Sequence, residues 1–276
     1  ACREETEWRW LACSFEAMKK DWPLDHARRI FRRLGDREKY LELRRLKMIY
    51  GSDYHDLAQF YWEEGNREQA LAVAEEGLKK GQGRMDELRR FLADYARDTG
   101  DRERYLDLQF AQTIDSLTLD SYKTFEKICN PSEWERFESR IIARLESTWR
   151  QEKLKILMYR CEHEQAVAVL IKERHPLHDW GGSEELKVAE QLERLFPEEI
   201  LPYYISGLGN LNDNANRKEY ARQAKVMASI RRVYLDILKS EQRWRDFAGN
   251  IKRKNLRRPA LQEEFARVLP GWWELS

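Results

Sequence analysis

The chain has 276 residues, enough for one or two compact domains or a single elongated array. Hydrophobic residues make up 42% and charged residues 36%, against a globular average of about 25% charged, and with only 13 Gly and 7 Pro this favours long helices with one buried stripe each. No apolar run approaches the roughly 20 residues of a membrane span and no secretion signal is recognisable.

Four scattered cysteines (Cys2, Cys13, Cys129, Cys161) lack CxxC spacing and read as reduced thiols of a cytoplasmic protein. The chain begins at Ala1 and is expected to be a piece of a longer protein, with a neighbouring domain of the same polypeptide beyond it. Net charge is +1 but unevenly placed: Asn216 to Arg258 holds 14 Lys/Arg and four acids, so that stretch is +10 and the remainder −9.

Near the N-terminus, Trp8 and Trp10 cannot both face one core, so one is expected as a surface anchor. Arg28-Arg29 and Arg32-Arg33 flank Ile30-Phe31 on a helix whose apolar stripe is buried. A phrase then recurs: Gly35-Asp36-Arg37-Glu38, Gly65-Asn66-Arg67-Glu68 and Gly100-Asp101-Arg102-Glu103, spaced 30 and 35 residues apart. Such a period marks stacked helical hairpins. Gly65 supplies the positive φ that ends one helix, and Asn66 caps the next. In the second copy Leu57, Ala58 and Tyr61 form the stripe of the first helix. Ala70, Leu71, Ala74 and Leu78 form that of the next, where small Ala58, Ala70 and Ala74 permit close approach. Lys79-Lys80-Gly81 closes that second helix.

Further on, Asp101 is expected to cap a helix with Tyr105 and Leu106 facing the core, and Pro131-Ser132-Glu133-Trp134 restarts the phrase 31 residues later. Glu164-Gln165-Ala166-Val167 echoes Glu68-Gln69-Ala70-Leu71, and Asn216-Arg217-Lys218-Glu219 and Glu241-Gln242-Arg243-Trp244 are weaker echoes. Sustained period-2 alternation is absent. The weakest helical signal, Arg174 to Ser183 with Pro176 and Gly181-Gly182, predicts a loop or hinge over 175–183 between an N-terminal array (1–174) and C-terminal repeats (184–276).

The pattern of Leu57-Ala58, Tyr61, Gly65, Ala70, Ala74 and Gly77 resembles a tetratricopeptide repeat, although the closing Pro of that family is missing and the spacing is irregular. The fold expected is an all-α solenoid of stacked antiparallel hairpins, seven or eight at roughly 30 to 35 residues each. The resemblance implies a concave face lined by the first helix of each hairpin. It points to Tyr54, Gln59, Glu63, Arg90, Asp94 and Arg97 as partner-binding positions, and to a protein or peptide as partner. The basic end (Trp244-Arg245-Asp246-Phe247, Ile251-Lys252-Arg253-Lys254, Arg257-Arg258-Pro259) makes the chain similar to the C-terminal helical region of bacterial SWIM zinc-finger proteins, whose zinc motif this chain lacks.

Catalytic motifs do not emerge. Gly-x-Ser-x-Gly is absent, adjacent carboxylates such as Glu63-Glu64, Glu75-Glu76 and Glu198-Glu199 point about 100° apart on a helix, and Gly207-Leu208-Gly209 lacks the third Gly of a dinucleotide loop. Cys161, His163, His175 and His178 are the best metal candidates, but a helix from His163 to Arg174 separates its ends by about 16 Å, too far for one ion. They read instead as a polar loop whose histidines cap helices. The expectation is therefore a non-catalytic scaffold without cofactor or metal. The alternative is a nucleic-acid-associated scaffold using Lys252, Arg253, Lys254, Arg257 and Arg258, with Trp244 and Phe247 either stacking on bases or lying in the core; the same basic surface equally suits docking of an acidic protein segment. Trp272-Trp273, after Pro270-Gly271, either cap the last hairpin or form a docking tail.

Overall fold

The computed structural model describes residues 4–176, 183–211 and 216–275. It is all-α, and among the described residues the only β-pairing is one isolated bridge, Tyr50 to Gln82. No described helix is long and apolar enough to cross a membrane. Contacts divide the chain into two compact units, one of Ala1–Ser116 with Thr124–Phe137, the other of Leu117–Lys123 with Glu138–Ser276.

The first unit holds α1 (Glu5–Ala17), α2 (Asp21–Arg33), α3 (Arg37–Arg45), α4 (Gly51–Glu63), α5 (Arg67–Lys80), α6 (Asp86–Thr99) and α7 (Arg102–Asp115). Helices α8 (Leu119–Ile128) and α9 (Pro131–Leu145) each contribute to both units. The second unit continues with α10 (Arg150–Tyr159), α11 (His163–Ile171), α12 (Ser183–Leu192), α13 (Pro197–Ser206) and α14 (Arg217–Arg232). A π turn (Val233–Ile237), α15 (Glu241–Lys254), α16 (Pro259–Val268) and a short 3-10 turn (Trp272–Glu274) complete it.

One turn is built four times. At Gly35, Gly65, Gly100 and Cys161 the chain takes a left-handed φ of 70°, 77°, 78° and 59°. The next amide then reaches back five residues into the helix just ended: Asp36 to Phe31, Asn66 to Tyr61, Asp101 to Ala96 and Glu162 to Leu157, at 2.8–2.9 Å. These two features define the Schellman ending, which satisfies carbonyls that the helix terminus would leave unpaired. In the first three copies the following Asp or Asn side chain accepts the N–H three residues on, at 3.1–3.2 Å, and so starts the next helix. At α9 the start is a reciprocal box instead: Asn130 accepts from the Glu133 amide at 2.9 Å and Glu133 accepts from the Asn130 amide at 2.7 Å.

These turns lay α4 on α5 and α6 on α7, and α6 also packs on both α4 and α5. Small residues set the spacing: Ala58, Ala70 and Ala74 are fully buried, and a Cβ on Gly77 would lie 2.4 Å from the Tyr54 Cβ. The first unit closes on Phe110, Phe125 and Phe137, whose ring centroids lie 4.9–5.8 Å apart. As expected, Asp101 caps α7 and Leu106 is core; Tyr105 is half-buried.

The break expected at 175–183 falls within the second unit, and 177–182 lie outside the described residues. The physical reason is contact across it: α11 packs on α13 and α10 on α12. His175 itself is buried and packs beside Tyr203 and Tyr204.

Candidate binding surfaces

Helices α4 and α6 carry the six positions expected to meet a partner. Gln59, Glu63, Arg90 and Arg97 are exposed. Glu63 is held by Arg32 at 2.7 Å, and half-buried Asp94 pairs with Arg97 at 3.0 Å. Tyr54 is a correction: it is only 6% exposed and lies against Gly77, so it packs α4 on α5 and presents nothing to a ligand.

Behind α4 lies a charged cluster that sequence reading did not single out. The Asp56 carboxylate accepts from Arg44 Nη2 at 2.7 Å, Arg44 Nε at 3.0 Å, Arg32 Nη1 at 2.6 Å and the Tyr40 hydroxyl at 2.9 Å. Arg44 also donates to Asp53 at 2.7 Å, and the other Asp53 oxygen accepts the Ile49 and Tyr50 amides ahead of α4. Burial by itself would raise the Asp56 pKa, but the charge and hydrogen bonds of Arg44, with Tyr40 and Arg32, outweigh it and hold the carboxyl below its usual range. Arg28, beside the same cleft of about 220 Å³, is pushed below the usual arginine range by burial and then by the like charge of Arg44. Donors and acceptors match one another, which suits a fixed ionic core better than a reacting centre. The available signal was an acid pair three apart on α4 (Asp53, Asp56) and an arginine pair four apart on α2 (Arg28, Arg32).

The basic C-terminal segment also differs in space from its one-dimensional sum. Arg217 pairs with Glu263 at 2.6 Å, Arg232 with Glu193 at 2.8 Å and Arg243 with Glu198 at 2.7 Å. All three acids lie outside 216–258, so three of the segment's 14 cations are matched by acids from elsewhere in the second unit. Lys252 donates to the backbone oxygens of Trp273 and Leu275 at 2.9 and 2.5 Å, and Arg258 to that of Leu211. Those two cations therefore fix backbone, whereas Arg253, Lys254 and Arg257 are exposed. Trp244 is a buried side chain and Phe247 is half-buried against Tyr234.

Large aromatic surfaces appear elsewhere. Trp10 is 72% and Trp149 87% exposed, while Trp8 is partly covered by the Arg33 guanidinium, 5.2 Å from its ring. Trp272 is buried and donates to Gln262 at 2.8 Å, and its neighbour Trp273 faces solvent.

Among the described residues no group of three or more His, Cys, Asp or Glu could hold a metal ion. Cys13, Cys129 and Cys161 are free thiols, and Cys2 and His178 lie outside the described residues. His175, expected to be a capping loop residue, instead has its ring in the core, with Nδ1 donating to the Pro176 carbonyl at 2.9 Å. Burial lowers its pKa, against the partial support of that carbonyl. In comparisons with known proteins, no family model, curated protein or solved structure matches the chain.

Proposed function

We propose that this chain is a non-catalytic helical-repeat scaffold, a solenoid of seven or eight irregular hairpins that holds a protein or peptide partner as one region of a larger protein. The observation that carries the reading is the fourfold Schellman turn together with the packing of α6 on both α4 and α5. An array grows by laying each hairpin on the last, and its binding surface is the row of exposed side chains that results. Gln59, Glu63, Arg90 and Arg97 offer such a row, mixed in charge and rich in Arg, which is over-represented in interface cores. The nucleic-acid alternative is weakened by the acids that neutralise Arg217, Arg232 and Arg243.

A photo-crosslinking amino acid placed singly at Gln59, Arg90 and Arg97, with Glu76 on α5 as control, tests the reading in native lysate treated with nuclease. Adducts to one protein species from the α4 and α6 positions, and none from position 76, are expected. Adducts only in the absence of nuclease, or equal at all four positions, would overturn it.

A further inference from the structure

A second candidate site lies in the second unit, around the start of α15. The α14 helix does not end in an ordinary turn. Its last residues run into the π turn, where the Leu238 amide returns to the Val233 carbonyl at 2.9 Å. Lys239 then takes a left-handed φ of 52°, the Ser240 amide reaches back to Tyr234 at 2.8 Å, and α15 begins at Glu241. Such wide turns are uncommon and concentrate at functional sites. Opposite stands the C-terminal segment: Trp272 is anchored in the core, and Lys252 clamps the Trp273 and Leu275 carbonyls. Between these walls is a cavity of about 650 Å³, within the range of roughly 300–1,000 Å³ typical of small-molecule sites.

Charge distinguishes this cavity from the surface around it. Its neighbours are matched: Arg232 with Glu193, Arg243 with Glu198, and Arg245, on the cavity wall, with Glu241 at 2.6 Å. Arg231 and Lys239, which line the cavity, have no acidic partner among the described residues, and the Arg231 Nε is buried without a hydrogen bond. A guanidinium nitrogen withdrawn from water and left unbonded is costly unless an acceptor arrives. The remaining acid, Glu274, is exposed, so the site holds one cation in excess. Leu235, Trp244 and Pro270 supply apolar wall between the charges.

We propose that this cavity binds a small organic anion, its phosphate or carboxylate group on Arg231 and Lys239 and its apolar body against Leu235, Trp244 and Pro270. The site is separate from the α4–α6 surface and stands or falls independently of the scaffold reading.

Isothermal titration of the full chain with phenyl phosphate, benzoate and neutral benzyl alcohol tests it. Phenyl phosphate or benzoate is expected to bind with benzyl alcohol silent, the preferred anion identifying the head group. Charge-assisted hydrogen bonds of this kind are worth about tenfold or more in affinity. Arg231→Gln is therefore expected to weaken binding at least about tenfold, and Lys239→Gln, which touches only an exposed turn, to weaken it in the same direction. Lys254→Gln is expected to leave it unchanged. Unchanged affinity in both Lys239→Gln and a folded Arg231→Gln protein would overturn the proposal. So would silence of both anions, or binding of benzyl alcohol as tight as theirs.

Discussion

Replacing Gly77 by Ala separates two forces that act on this residue in opposite directions. In an isolated helix the change stabilises by about 1 kcal/mol, because Gly has more conformational freedom to lose. In this fold the new methyl would stand 2.4 Å from the Tyr54 Cβ, 2.7 Å from its Cγ and 2.8 Å from the Leu88 Cδ1. Carbon atoms in contact normally sit about 3.5–4.0 Å apart. A Cβ cannot rotate out of the way, so α5 has to move off α4 by more than an ångström. Overpacking of this kind costs about 1–3 kcal/mol, and three contacts from two elements place it near the upper end. The expected net effect is a loss of about 2 kcal/mol. Gly65→Ala is the control: nothing lies within 4 Å of its Cβ, but its φ of 77° imposes a strain of about 1–2 kcal/mol at the turn alone. Urea unfolding followed by amide hydrogen exchange distinguishes the two. Gly77→Ala should lower protection along α4, α5 and the first turns of α6 together, whereas Gly65→Ala should act at the α4–α5 turn. A Gly77→Ala protein as stable as its parent, or more so, would show that helix propensity governs this position and refute the close-packing argument.

Because three turns share one cap geometry, Asn66→Ala and Asp101→Ala should each lose about 1 kcal/mol by urea unfolding, and Asp36→Ala somewhat more, since its carboxylate also pairs with Arg9. Arg44→Met should cost about 2 kcal/mol by leaving the half-buried Asp53 and Asp56 short of a counter-charge. Adding Asp56→Asn to it should then cost much less than the two single changes summed, as a double-mutant cycle would show. The pKa of His175 is lowered on folding, chiefly by burial, so the unfolded chain binds more protons below its ordinary value of about 6.5. The stability from the neutral ring is therefore complete above about pH 6.5 and is lost as pH falls from there through the folded-state pKa. His55 is shifted in the same direction, again chiefly by burial, so both units should weaken on acidification. His175→Asn should remove only the second unit's share of that slope, read by exchange at α11 and α13 amides.

What could be read from the sequence was local. Gly65-Asn66 specifies a left-handed residue and then a capping side chain, and both act within one turn of their own position. What could not be read depends on residues distant in sequence. Tyr54 lies three before Leu57 and extends that helix's apolar stripe, but only the position of Gly77 on α5 decides that it is covered. The +10 segment looked like a surface patch because a sum along the chain cannot include Glu193, Glu198 or Glu263 folding back onto it. Cys161 hid the fourth copy of the turn, since a thiol in place of Gly gives no sign of a left-handed backbone. The π turn likewise has no signature in Val233-Tyr234-Leu235, where nothing departs from an ordinary helical run.

The path of the chain between the two units limits how the protein can be cut or recombined. The backbone crosses from one unit to the other three times, after residues 116, 123 and 137. Scission after 116 strips the first unit of Phe125 and Phe137, the partners of Phe110. Scission after 137 strips the second of Tyr122, whose hydroxyl accepts from Arg160 at 2.7 Å. No single break releases both units whole. Shortened versions, limited proteolysis products and gene fusions at these crossings would each lack a piece of one hydrophobic interior.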